Sequence, residues 1–108
     1  MLTPSESKSL KDCLLSAFVC TDNNVLYAAK YNKKQAKHIR KKQYACNKLF
    51  EAFMSVMSRH PAPADYEKME NAVYGEIGII GWFFIRWLAS EILHWLWHHT
   101  ANARQQNV

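Results

Sequence analysis

Residues 77–97, IGIIGWFFIRWLASEILHWLW, decide how this chain is read, because these 21 residues hold ten Ile, Leu or Phe and four Trp. An apolar run of that length is enough for an α-helix to cross the hydrocarbon core of a bilayer. Near its middle, however, lie Arg86, Glu91 and His94. On an insertion scale the ten aliphatic and Phe residues supply roughly −3 to −6 kcal/mol, while Arg86 and Glu91 oppose them by about 2.5 to 3.5 kcal/mol each. The sum is close to zero or slightly unfavourable. Such a helix is stable in lipid only if its charges are paired, reach an interface or face a polar surface of another helix. Arg86 and Glu91 stand about 140° apart around a helix and are poor partners for each other, which places their partners on another chain.

The flanks of the run add to this reading. Tyr74 and Trp82 at one end and Trp95 and Trp97 at the other resemble the aromatic belts of a membrane-crossing helix, although Trp87 falls mid-span. Gly75, Gly78 and Gly81 recur every third residue at its entry, a spacing that lets a second backbone approach closely. Around a helix, Glu76, Arg86, Ser90, Glu91, His94 and His98 share one sector with Ile80, Phe83 and Trp87, and the rest of the surface is apolar. One side therefore suits lipid and the other a partner. Gly75, Gly78, Gly81, Arg86, Glu91 and His94 are the expected contacts to a partner helix. The same pattern would also serve an obligate interface between soluble subunits.

With 108 residues the chain makes one domain with a modest core, so partners are expected. The net charge of +5 is unevenly placed: 12 of the 14 Lys and Arg precede Gly75. If residues 77–97 span a membrane, the Lys-rich N-terminal side is expected to stay cytoplasmic, or in the matrix of a mitochondrion. Residues 1–20 lack the features of a cleavable signal. Cys13, Cys20 and Cys46 have no metal or redox spacing, and Cys13 and Cys20 lie too far apart along one helix for a disulfide. They read as small core residues in a reducing compartment.

The chain is expected to be helical throughout, an all-α fold of one short helix and two long ones. Thr3-Pro4-Ser5-Glu6 combines an N-cap, a Pro at the first helical position and a Glu that completes a capping box. Leu10, Cys13, Leu14, Ala17 and Phe18 then follow the spacing of an amphipathic helix that ends near Cys20. After the polar turn Thr21-Asp22-Asn23-Asn24, a second helix is expected from about Val25 to Met57 or Arg59. Its opposite face carries Cys46, Leu49, Phe50, Phe53 and Met57. Pro61-Ala62-Pro63 stops it. A third helix, beginning at Pro63 or Asp65, is expected to run unbroken to about Thr100, which divides the domain into a basic helical region, 1–60, and a long apolar helix, 64–100.

Lys30, Lys34, Lys37, Lys41 and Lys48 form one stripe on the second helix, flanked by Lys33, Arg40 and Lys42 and interleaved with Tyr31 and Tyr44. Such a stripe suits lipid headgroups or the phosphates of nucleic acid, and it would equally serve as a solvated face. A straight antiparallel hairpin about the prolines would set residues 30–42 beside residues 82–94. Lysines cannot sit there in hydrocarbon. A membrane-embedded third helix therefore requires the second to diverge from it.

Two chemistries can be set aside. Glu91-x-x-His94 has the spacing of a di-iron ligand pair, and His98 lies four residues beyond His94. A di-iron bundle needs further carboxylates and a second such pair, which the chain lacks, so neither metal nor cofactor is expected. No phosphate-binding loop, nucleophile elbow or Cys/His arrangement is present, and neither an enzyme nor a small-molecule substrate is expected. The leading expectation is a non-enzymatic accessory or structural subunit of a membrane-bound assembly, held to other subunits through residues 75–98. The alternatives are a soluble helical subunit of a virion or nucleoprotein particle with its lysine helix on nucleic acid, and a small membrane effector such as a holin or exclusion protein.

Overall fold

A computed structural model describes residues 2–19, 33–59, 65–78 and 86–101. The described residues form four α-helices: α1 (Pro4–Phe18), α2 (Lys33–Arg59), α3 (Tyr66–Ile77) and α4 (Arg86–His99). The fold is all-α.

The start of α1 follows from the capping box. Thr3 is extended, its Oγ1 accepts the Glu6 N–H at 3.1 Å, and Glu6 Oε1 accepts the Thr3 N–H at 3.1 Å. These bonds favour the charged Glu6 carboxylate and lower its pKa from the usual value. The buried face is turned from the expected one. Leu14 is fully buried, with Leu10, Leu15, Phe18 and Val19 packed against the core, whereas Cys13 and Ala17 are exposed. Leu15 and Val19 bury more apolar area than Cys13 and Ala17 could, so the helix settles on its larger side chains. Cys46 is the core cysteine; Cys20 lies outside the described residues.

α2 is the central element and packs against α1, α3 and α4. Its buried residues, Ala45, Cys46, Leu49, Phe50, Ala52, Phe53 and Val56, all lie in its second half, as the periodicity predicts. None of the described side chains between Lys33 and Tyr44 is buried. The expected start near Val25 falls outside the described residues.

α3 begins where a short acidic side chain can cap it: Asp65 Oδ1 accepts the Lys68 N–H at 2.8 Å. It buries Met69 and Val73 and ends at Ile77. The expected unbroken helix to Thr100 is therefore corrected. Gly78 has φ 81° and ψ 176°, a backbone region open essentially to glycine alone, and its N–H reaches back to the Tyr74 carbonyl at 3.1 Å. Glycine makes that stop inexpensive, and a stop there divides the apolar run between two elements.

α4 carries the second half of the run. Leu88, Ala89, Ile92, Leu93 and Leu96 form its inner face, none more than 5% exposed, against the side chains of α1 and α2. No helix among the described residues is long and apolar enough to cross a membrane. The side of the helix expected to meet lipid is instead packed inside the chain. Thr100 closes the helix by donating from Oγ1 to the Leu96 carbonyl at 2.7 Å.

The second and third helices do not form a straight hairpin. Were α2 and α3 antiparallel about Ala62, Glu76 would lie opposite Lys48. Glu76 instead pairs with Arg59 and accepts from Ser55 Oγ at 2.9 Å. α3 thus crosses α2 near its C-terminal end rather than running back along it, which leaves Lys48 without a carboxylate from α3. The N-terminal end of α3 meets α4: the Tyr66 ring stacks on His94 at 4.1 Å and meets Trp97 edge-on at 6.0 Å. Phe18 of α1 meets Trp95 of α4 edge-on at 6.3 Å.

Candidate functional site

Two surfaces hold the residues that the sequence singles out, and their environments differ. The first is the outward side of α2. Lys33, Lys37, His38, Arg40, Lys41, Tyr44 and Lys48 are exposed, and Lys42 is half-buried near the core side. Lys34 lies on the same helix, and Lys30 falls outside the described residues. The sequence explains why this face is so strongly positive. Residues 33–48 carry seven Lys or Arg, and no Asp or Glu occurs between Asp22 and Glu51. Among the described residues the ion pair formed is Arg59 with Glu76, at the far end of the helix.

Tyr44 sits within this face with its side chain out. It is 63% exposed, and Lys48 Nζ lies 5.7 Å from the ring centroid. Arg40 precedes it by four residues, Lys41 by three, and Lys48 follows by four. On a helix those are its surface neighbours. The ring thus has three cationic residues at neighbouring helical positions, and the Lys48 ammonium lies within cation–π range. The interleaving of Tyr44 is legible in the sequence; that it turns outward and not into the core depends on how α2 rolls against its neighbours.

The second surface is the outward side of α4. Trp87, Glu91, His94 and His98 are exposed at helical spacing along one face, and Trp87 is 64% exposed. This is the mixed stripe expected to meet a partner helix, and it does face outward. His94 is already engaged by the Tyr66 ring. Tyr66, not expected at this position, links the two helices: its hydroxyl lies 3.5 Å from the Ser90 carbonyl, and burial raises its pKa well above the usual phenol value.

Among the described residues, Gly75 and Gly78 bring no neighbour close. A Cβ added at either would meet nothing within 4 Å. Gly75 is an exposed helical position, and Gly78 serves the backbone turn. Gly81 and the side chain of Arg86 lie outside the described residues.

Two free thiols lie among the described residues, Cys13 exposed and Cys46 in the core. Cys46 is buried, and its thiol is pushed up to about 11 by desolvation. Among the described residues no three His, Cys, Asp or Glu converge on a point that could hold a metal ion. No protein-family model, curated protein or solved structure matches the chain. What it does must be argued from these surfaces.

Proposed function

We propose that this chain is a non-enzymatic helical subunit of a larger assembly that contacts nucleic acid through the lysine face of α2. The observation that carries the proposal is the division of labour along α2: its second half supplies the core, and its first half projects cations with no carboxylate among them. A dense row of Lys and Arg displaces the counterions of a polyanion, and that release drives binding. Lipid headgroups would supply anions too. A helix lying in a membrane interface, however, needs an apolar face of its own to sink into the acyl boundary. Between Lys33 and Tyr44 only Ala36, Ile39 and Tyr44 are apolar or aromatic, and the apolar side of the second half is spent inside the chain. The face is suited to a polyanion gripped by charge.

A second reading, a subunit of a membrane-bound assembly, is favoured by one specific feature. Residues 79–85, IIGWFFI, contain no polar side chain, and they are followed by the exposed Trp87. One experiment separates the two. The whole chain is tested for a mobility shift of a fluorescent oligonucleotide and, in parallel, for co-sedimentation with vesicles of anionic lipid, both at physiological salt. The proposal expects the oligonucleotide to shift and the vesicles to leave most of the protein in the supernatant. Binding to vesicles alone would transfer the assignment to the membrane reading, and binding to neither would show a merely solvated face.

A further inference from the structure

The position of Tyr44 narrows the partner. Resting on the nucleic-acid reading above, we propose that α2 engages unpaired nucleic acid, with a base stacked on the Tyr44 ring and the flanking phosphates held by Arg40, Lys41 and Lys48. A ring that is 63% exposed contributes little to the core of its own protein. Every base has a π face, so an exposed aromatic among cations is the arrangement by which sequence-tolerant single-strand binders hold their ligand. In a duplex the bases are stacked on one another and their faces are closed to a side chain; a ring on a helix surface then adds nothing to phosphate contacts.

Spacing supports the assignment. Lys41 and Lys48 lie about 4.5 Å and 6 Å along the helix axis from Tyr44, on opposite sides of it. A nucleotide whose base covers the ring therefore has cations toward both of its phosphates. Lys37 continues the row one turn beyond Lys41 and extends the track for the strand. Lys48, 5.7 Å from the ring centroid, also keeps the ring within a positive field that a negatively charged ligand enters readily.

The test uses the whole chain and measures fluorescence anisotropy with a single-stranded 20-mer and with a 20-base-pair duplex at one fixed salt concentration. Tyr44→Ala is expected to weaken single-strand binding by about 5- to 100-fold and to leave duplex binding within twofold, while Tyr44→Phe retains the wild-type affinities. Because Tyr44 is exposed, both variants should melt with the wild type, which separates lost stacking from lost folding. Equal affinity of Tyr44→Ala and wild type for the single strand would overturn stacking, yet leave phosphate contact by the lysine face standing. Equal loss on both ligands would also overturn it, because it would mark Tyr44 as a positioning residue for the lysines. Absence of binding to either ligand by the wild type would overturn this inference together with the reading it rests on.

Discussion

Leu93→Ala tests whether residues 86–99 belong to the interior of this chain. Leu93 is fully buried beside Leu88, Ala89, Ile92 and Leu96 on the inner face of α4. Removing most of a buried Leu side chain loses its transfer free energy and leaves a cavity, together about 2 to 5 kcal/mol. Helix propensity does not contribute to that loss, since Ala is the best helix former. A chain of 108 residues has a total stability of about 5 to 15 kcal/mol, so the substitution removes a large share of it. At about 4 to 8 °C per kcal/mol for a domain near this size, the melting temperature should fall by at least about 8 °C. The assay is thermal unfolding followed by far-UV circular dichroism in detergent-free buffer. Trp87→Ala is the control: at 64% exposure it should change stability by no more than about 0.5 kcal/mol. A wild-type melt for Leu93→Ala, or a marked loss for Trp87→Ala instead, would refute the assigned inner face of α4.

Other expectations follow from single contacts. The two described glycines should respond with opposite signs in denaturant titrations: Gly78→Ala is destabilising by about 1 to 3 kcal/mol because its φ of 81° is strained for any other residue, while Gly75→Ala, with open space at its Cβ, is stabilising by about 0.5 to 1 kcal/mol. Two losses of similar size would mean that Gly75 is packed. Thr3→Ala removes half of the capping box and should lower stability by about 0.5 to 2 kcal/mol; an unchanged unfolding midpoint would show that α1 does not need its cap. The Cys46 thiol, raised in the folded state, stays protonated while the unfolded thiol ionises, so its contribution is complete below about pH 9 and disappears as pH rises toward about 11. Urea midpoints should therefore fall over that interval more steeply in the wild type than in Cys46→Ala, and identical slopes would rule the thiol out.

Much of this architecture is legible from local chemistry. Thr3 and Glu6 announce the first helix, Asp65 caps the third, and Cys46, Leu49, Phe50 and Phe53 mark the buried side of the second, because capping and helical periodicity act within a few residues. The apolar run is ambiguous for a physical reason. A continuous apolar stretch satisfies lipid and protein interior equally well, and only the structure shows a helix stop at Gly78 and an inner face of α4 packed on α1 and α2. The Gly75, Gly78, Gly81 spacing carries a similar ambiguity, since close packing and an end to a helix both favour glycine. On the surfaces, the composition of the lysine stripe is readable, whereas the outward turn of Tyr44 and the passage of Glu76 to Arg59 and not to Lys48 depend on how the helices cross.

The most direct test of the lysine face is the salt dependence of single-strand binding by the whole chain. The logarithm of affinity should fall linearly with the logarithm of salt concentration, and each phosphate neutralised contributes about 0.7 to the slope. Substituting Lys37, Lys41 and Lys48 together by Gln keeps the helix, because Gln and Lys have similar helix propensity, and should reduce the slope by about 2. A triple variant with the wild-type slope and affinity would contradict the assignment of nucleic acid to this face.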